Sequence, residues 1–183
     1  MSGFERLKYV DTLPRSNKAR RLVWGAVYQL LFRPTPRWML HGWRCFLLRC
    51  FGARIGVGCR IAPTCCIWAP WNLEVGDFTA IADGVDVYAM ARITIGSKVA
   101  ISQRSFLCAG THDTRSLLRP LVTREIVIKD HVWVAAESFI HPGCLVGEGC
   151  VVGARSVVTT DLPAWMICVG APCRPIKPRD IAQ

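Results

Sequence analysis

The stretch that decides the fold is IVIKDHVWVAAESFIHPGCLVGEGCVVGARSVV, residues 126–158. An aliphatic side chain recurs in it at every sixth position, which gives the series Ile128, Val134, Ile140, Val146, Val152 and Val158. An α-helix would place apolar residues three and four apart, and an ordinary strand would alternate without keeping a six-residue phase. The period predicts short strands joined by tight turns, with one aliphatic side chain of each hexad pointing inward.

The same period continues towards the amino terminus. It runs through Ile55, Ile61, Ile67 and Leu73, then Val75, Ile81, Val87 and Ile93, then Ile95, Ile101 and Leu107. Ile55, Val75 and Ile95 are twenty residues apart, which is three hexads plus two residues. Three hexads would close one triangular coil, and coils would stack about 4.8 Å apart with backbone groups paired between them. We therefore predict a parallel β-helix of four to five coils over residues 52–162.

One insertion interrupts this repeat. Ile128 follows Leu107 by twenty-one residues, where a single hexad would take six. About fifteen residues, at about 109–125, therefore leave the coil as a loop. Inserted loops on rigid scaffolds often carry function, and this one contains His112.

The amino-terminal segment, residues 1–51, differs from the repeats in charge. The chain has a net charge of +10, and residues 1–50 carry ten Lys or Arg against Glu5 and Asp11. Two apolar stretches, 22–32 and 38–51, are too short or too charged to span a bilayer. They predict a basic, amphipathic helical segment that caps the solenoid, that contacts anionic lipid, or that does both.

Composition also bears on nucleic acid and metal as partners and on the cellular location. The arginines of residues 1–51 alternate with Trp and Leu, which does not favour nucleic acid as a partner. The first twenty residues lack the apolar core of a signal peptide, so we predict a cytoplasmic protein, with peripheral contact at the inner membrane face as an option. None of the ten cysteines forms a CxxC pair. This predicts packing cysteines in a reducing compartment and no metal.

Residues 93–113, 126–163 and 169–177 together resemble the hexapeptide-repeat acetyltransferases, in particular the group that acetylates colanic acid and other exopolysaccharides. The resemblance implies an all-β fold, a left-handed parallel β-helix, and a homotrimer with the active site between neighbouring protomers. It also implies direct acetyl transfer from acetyl-CoA to a hydroxyl of a sugar or polysaccharide precursor in a ternary complex. Residues 163–183 would be a tail that completes the CoA site.

The chemistry needs a base, because a sugar hydroxyl is a poor nucleophile until its proton is being removed. Histidine titrates near neutral pH, and by the resemblance His112 is that base, oriented by Asp113 or by a backbone carbonyl. The thioester oxygen gains negative charge during transfer and needs a preorganised donor. By the resemblance this donor is the backbone N–H of Ala136, which follows Trp133 and Ala135 in this chain's version of the family's W-[IV]-G motif.

The resemblance also assigns the rest of the site. The CoA-binding residues would be Trp133, Ala135, Ala136, Ala154, Thr159, Thr160, Arg174 and Lys177, with Arg174 and Lys177 meeting the nucleotide phosphates. Three family positions differ, since Ala135 and Arg155 replace glycines and Thr160 replaces a lysine. Ala82 and Met90 stand where the galactoside enzymes hold sugar with Asn and Asp, so we do not expect a simple galactoside. Weak acceptor candidates nearby are Asp83, Asp86 and Tyr88.

Three alternatives remain at this point. The first is an acyltransferase for a non-sugar acceptor. The second is a metalloenzyme like the γ-class carbonic anhydrases, which need three histidines with an H-x4-H pair; His131 and His141 are ten residues apart, which disfavours it. The third is a non-catalytic β-helix, against which the histidine in the inserted loop argues.

Overall fold

In the computed structural model, residues 14–181 are described; residues 1–13 and 182–183, the outermost parts of the two predicted end segments, lie outside this range. The described chain begins with helix α1 (Arg15–Val27), a π-helical turn (Tyr28–Phe32) and helix α2 (His41–Cys50). A 3-10 turn spans Pro70–Asn72. No helix among the described residues is long and apolar enough to cross a bilayer.

Short strands make up the rest of the described chain. In chain order they are β1 (Arg54–Ile55), β2 (Arg60–Ile61), β3 (Cys66–Ile67), β4 (Leu73–Val75), β5 (Ala80–Ile81), β6 (Asp86–Tyr88), β7 (Ile93–Ile95), β8 (Ala100–Ile101), β9 (Phe106–Cys108), β10 (Gly110–His112), β11 (Leu121–Thr123), β12 (Ile126–Ile128), β13 (Trp133–Val134), β14 (Phe139–Ile140), β15 (Leu145–Val146), β16 (Val151–Val152), β17 (Val157–Val158), β18 (Met166–Val169) and β19 (Arg174–Pro178).

When the hairpin pair β10–β11 and the last strands β18 and β19 are left out, every third strand joins the same sheet, so the coil has three sides. The first sheet has the order β1-β4-β7-β12-β15, the second β19-β18-β16-β13-β8-β5-β2, and the third β17-β14-β9-β6-β3. Neighbouring strands are parallel except for β18 and β19, and Ile55 pairs with Val75, which pairs with Ile95. The predicted left-handed parallel β-helix is confirmed, with the twenty-residue spacing as its strand register.

The predicted aliphatic ladder forms the core. All seventeen residues of the series are buried, and the most exposed of them, Ile55, keeps only 8% of its surface accessible. Each such side chain stabilises the fold by about 1.5–3 kcal/mol relative to exposure. The glycine after the aliphatic is required by the close stacking of coils, because a Cβ on Gly76 would lie 2.6 Å from the backbone nitrogen of Ser97.

Most of the cysteines pack in this interior. Seven of the ten are buried, and all ten are free thiols. Burial raises the pKa of buried thiols such as Cys65 and Cys144. They therefore behave as small apolar side chains.

The two helices close the amino-terminal end of the prism. In each coil the N–H after the inward aliphatic donates to a carbonyl of the next coil, as Gly56 does to Val75. The equivalent carbonyls of the first coil have no preceding coil to bond. Side chains of the helices supply the missing hydrogen-bond donors. Arg49 donates to the Ile55 carbonyl, Arg44 to the Ile61 carbonyl and Trp24 to the Ile67 carbonyl.

This arrangement separates residues that the sequence analysis treated alike. Trp24 and Arg44 are buried, whereas Trp38, Trp43 and Phe46 are exposed. Buried carbonyls without a partner would cost about 1–3 kcal/mol each. The capping function predicted for the segment is therefore carried out by particular polar side chains as well as by apolar contact.

At the other end, the solenoid extends beyond the predicted boundary at residue 162. Strand β18 pairs in parallel with β16, and β19 turns back antiparallel to β18. The chain thus makes about six turns rather than four to five. The predicted carboxy-terminal tail is in large part a continuation of the second sheet, which the six-residue pattern missed because its spacing is lost after Val158.

The predicted loop is an ordered hairpin. Strands β10 and β11 pair antiparallel, with His112 opposite Leu121. The hairpin leaves the third sheet directly after β9, at the corner where the third side of the prism turns into the first. A paired hairpin fixes the backbone of His112 more firmly than an open loop would.

Candidate active site

The hairpin and the coils beside it enclose a recess. Its volume is about 390 Å³, and His112, Arg124, His141 and Thr159 are among the residues that line it. The strands that place them are β10 for His112 and the ends of β14 and β17 for His141 and Thr159. The recess therefore lies at the corner between the third and first sheets, which we call the hairpin corner.

The imidazole of His112 is oriented by main chain. Its Nδ1 lies 2.7 Å from the backbone carbonyl oxygen of Arg119. A carbonyl oxygen can only accept a hydrogen bond, so Nδ1 carries the proton in the neutral ring. The lone pair is then on Nε2, and this nitrogen is left to accept a proton from another group.

Asp113 does not contact the imidazole. Its carboxylate accepts hydrogen bonds from the backbone N–H and the guanidinium of Arg115, and the bond from Arg115 lowers the pKa of Asp113. Of the two orienting groups considered from the sequence, the structure has the backbone carbonyl. Arg119, which supplies it, has a left-handed backbone with φ of 47°.

A second group of predicted site residues lies on another edge of the prism. Trp133 belongs to β13 of the second sheet, and its indole N–H donates to the Ser102 hydroxyl at 3.0 Å. Ala135 and Ala136 follow β13, and Ala154 follows β16 in the equivalent turn. These turns join the second sheet to the third, and we call this edge the alanine corner.

The alanine corner presents an unused donor. Within residues 14–181, the amide N–H of Ala136 makes no hydrogen bond, whereas that of Ala135 donates to the Val152 carbonyl at 2.8 Å. The coil below has Gln103 at the same turn position, and the first coil has Pro63 there. The turn therefore forms without this N–H, which leaves it available to a ligand.

The remaining predicted CoA-binding residues lie closer to the hairpin corner or to the carboxy-terminal strands. Thr159 lines the recess with His112. The guanidinium of Arg174 lies 3.3 Å from the hydroxyl of Thr160. Lys177 lies in β19, opposite Ile167 in register. Arg174 and Lys177 are both exposed and can meet an anion.

One chain does not bring these two groups together. The third sheet separates the alanine corner from the hairpin corner, and the five residues from Ala136 to His141 span about 16 Å when extended. A small reacting group cannot touch both Ala136 and His112 of the same prism. A site that uses both must therefore join the hairpin corner of one chain to the alanine corner of another.

The acceptor candidates do not line the recess. Asp83 lies at the alanine corner, where it accepts a hydrogen bond from the Thr64 hydroxyl and contacts the guanidinium of Arg37 at 2.6 Å. Asp86 and Tyr88 lie on the third sheet in β6, and burial raises the pKa of Asp86. Although the three residues are close in sequence, Asp83 lies at the corner and Asp86 and Tyr88 lie on the third sheet.

Three recess residues were missed by sequence reasoning. Arg115, Arg124 and His141 all line the recess with His112. Arg115 and Arg124 lie within the insertion, so the loop itself was a signal for them. His141 was treated as a turn residue, and only its position one coil beyond the hairpin brings it to the site.

The positions of the histidines do not support a metal centre. Within the described part of the chain, no group of three or more His, Cys, Asp and Glu side chains is placed to hold a metal ion. His131 stacks on Trp165, with ring centroids 6.3 Å apart. His141 lies on the third sheet beside Phe139. The two rings do not converge.

Comparison with known proteins assigns this β-solenoid of six-residue repeats to a class of acyl-transferring enzymes. Residues 125–160 match the family model described as bacterial transferase hexapeptide (six repeats). The chain is 42% identical over 163 residues to WcaF of Escherichia coli (strain K12), named as a colanic acid biosynthesis acetyltransferase, with 89% of each chain covered.

Solved structures agree with this. The hexapeptide-repeat acetyltransferase VCA0836 of Vibrio cholerae O1 biovar eltor, complexed with acetyl-CoA, has a TM-score of 0.81 at 26% identity, over 99% of this chain and 100% of that one. A maltose O-acetyltransferase of Clostridium difficile 630 has a TM-score of 0.79 at 26% identity, over 92% and 90%. The chain belongs to the hexapeptide-repeat acetyltransferase family, and the prediction of an acyltransferase is confirmed.

Proposed function

We propose that the protein transfers the acetyl group of acetyl-CoA to a hydroxyl of a sugar or polysaccharide precursor, with His112 as general base. The observation that carries the proposal is the hydrogen bond from Nδ1 of His112 to the Arg119 carbonyl. In the neutral ring it leaves Nε2 without a proton, and His112 lines the recess. The binding of acetyl-CoA by the Vibrio relative supports the donor, and the names of the relatives support a saccharide acceptor.

The proposed reaction is a direct transfer in a ternary complex. Nε2 of His112 removes the proton from the acceptor hydroxyl as its oxygen attacks the thioester carbonyl carbon. The carbonyl oxygen becomes an oxyanion and accepts a hydrogen bond from the free N–H of Ala136. The tetrahedral state then collapses to the acetyl ester, the C–S bond breaks, and the leaving CoA thiolate receives the proton from His112.

The donor would lie along the alanine corner. Ala135, Ala136 and Ala154 have small side chains, so a pantetheine arm can approach the main chain there. Trp133 is 47% exposed and offers an apolar wall beside them. Arg174 and Lys177 would meet the nucleotide phosphates, and Thr159 and Thr160, which lie at the hairpin corner, would complete the path from the neighbouring protomer.

This arrangement needs at least two chains in contact, and the oligomer proposed is a homotrimer. Since His112 and Ala136 lie on different edges of one prism, the hairpin of one protomer would meet the alanine corner of its neighbour. A cyclic arrangement repeats this heterologous contact and closes when three copies complete the ring. Each protomer would then contribute to two active sites.

We further propose a cytoplasmic location, because acetyl-CoA is a cytoplasmic metabolite. Within the cytoplasm, we propose peripheral contact of residues 1–50 with the inner membrane face. Asp83 shares the alanine corner with Ala136 and stays a candidate for contact with the acceptor. Asp86 and Tyr88 stay weaker candidates, because the third sheet holds them away from the recess.

The test is release of CoA thiol from acetyl-CoA in the presence of a panel of monosaccharides and oligosaccharides. The substitution His112→Ala should lower turnover by about two to four orders of magnitude, the contribution of a general base. His131→Ala is the matched control, because His131 stacks on Trp165 away from the recess. A normal rate for His112→Ala would remove it as the base, and a wild-type chain that released no CoA thiol with any saccharide of the panel would overturn the acceptor class.

A further inference from the structure

The amino-terminal cap has two unlike faces. Helix α2 buries Arg44, Cys45, Leu47 and Leu48 against the first coil. Its opposite face exposes Trp43 and Phe46, whose rings stack with centroids 5.7 Å apart. This opposite face points away from the prism, so no part of the solenoid covers it.

The exposed face continues into the segment that joins the two helices. We call the apolar patch the six side chains of Leu31, Trp38, Met39, Leu40, Trp43 and Phe46, all of them exposed large hydrophobics. Trp38 keeps 79% of its surface accessible. The indole N–H of Trp43 bonds the Leu31 carbonyl at 3.0 Å, which joins α2 to the end of the first helical stretch. Contiguous exposed apolar surface of this kind marks an interaction site.

The charge around the patch has one sign. From residue 12 to residue 73 the sequence contains ten Lys or Arg and no Asp or Glu. Arg33 and Arg37 lie between Leu31 and Trp38, and Arg37, which pairs with Asp83 of the solenoid, keeps its side chain 72% exposed. Tryptophan beside arginine is suited to the boundary between lipid headgroups and acyl chains. The surrounding positive charge complements anionic headgroups. On the prism sides of a second copy, acidic residues such as Glu74 and Glu137 are already paired with arginines of their own chain.

We infer that the apolar patch and its arginines form a docking surface for an anionic lipid bilayer. Trp38 and Phe46 insert at the level of the headgroups, and the prism stands away from the bilayer on its capped end. The recess lies about three coils above the cap, which is about 15 Å at the coil spacing. This distance from the bilayer suits a saccharide acceptor that is carried on a membrane lipid, a consequence that rests on the proposed function.

The experiment measures binding of the full chain to sedimented vesicles. One set contains phosphatidylglycerol and phosphatidylcholine, and the other only phosphatidylcholine. The wild-type chain should bind the anionic vesicles and lose binding at high salt. The double substitution Trp38→Ser with Phe46→Ser should weaken binding by about tenfold or more, whereas Phe78→Ser, an equally exposed aromatic on the solenoid, should bind as wild type.

Three outcomes would overturn the inference: no binding of the wild-type chain to anionic vesicles at low salt, equal binding of the double variant, or a changed oligomeric mass of the double variant, which would show that a second copy covers the patch. Circular dichroism confirms that the variants fold. His112→Ala should bind vesicles as wild type does. Failure of the proposed chemistry and failure of the docking surface are therefore observed in separate assays.

Discussion

The hairpin corner and the alanine corner are made from the same repeat and serve different purposes. The alanine corner keeps its turn through every coil from Pro63 to Ala154, and the amides of Gln103, Ala136 and Ala154 there donate no hydrogen bond within residues 14–181. The hairpin corner is interrupted by β10 and β11, which carry His112 outward. A base that must move a proton is supplied by the irregular corner, and a fixed donor is supplied by the regular one. Chemistry that needs both must be shared between protomers.

At the alanine corner, the largest effect is expected from removing the donor. Ala136→Pro deletes one N–H, and it should lower turnover by about two to three orders of magnitude, the cost of losing an oxyanion donor. The turn should survive, because Pro63 follows an alanine at the same position of the first coil, as Ala136 does. Gln103→Pro is the control one coil below and should keep the wild-type rate. Equal losses in both variants would indicate damage to the turn instead.

A smaller effect is expected where the carboxy-terminal strands meet the hairpin corner. Arg174→Ala should raise the KM for acetyl-CoA by about tenfold, since a charge-assisted contact with a phosphate is lost, with little change in kcat. Steady-state kinetics against acetyl-CoA measures both constants. Arg54→Ala removes an exposed arginine that pairs with Glu74 at the far end of the prism and should change neither. An unchanged KM for Arg174→Ala would exclude it from the site.

The smallest effect is expected beside the base itself. Asp113→Asn should lower kcat by less than about threefold, because the carboxylate bonds Arg115 and the imidazole is held by the Arg119 carbonyl. Comparison of its pH–rate profile with that of the wild type checks the protonation of the base. If Asp113→Asn lost as much activity as His112→Ala, the carboxylate would be the orienting group and the hairpin geometry would differ in the working enzyme.

The sequence predicted the coil well because its signal is repeated. Each hexad puts one aliphatic residue in the interior, and the coils pair in the register that the twenty-residue spacing requires. An error at one position would not have changed the prediction. The position of His112 on an insertion was predicted for the same reason, since an insertion stands out against a regular period.

The sequence could not predict contacts that occur once. The bonds from Arg44 and Trp24 to carbonyls of the first coil depend on how two helices lie across the prism. The sequence pattern of alternating Trp and Arg does not distinguish a side chain that faces solvent or lipid from one that bonds a buried carbonyl. Likewise, Asp83 and Asp86 are three residues apart but lie on different sides of a corner.

The most direct test of the shared site is co-expression of two inactive variants, His112→Ala and Ala136→Pro. In randomly mixed trimers, each site needs an intact hairpin from one chain and an intact alanine corner from its neighbour, and each is present with a probability of one half. The account predicts recovery of about one quarter of wild-type activity. Activity no higher than that of either variant alone would mean that no site combines His112 of one chain with Ala136 of another, and would contradict the account.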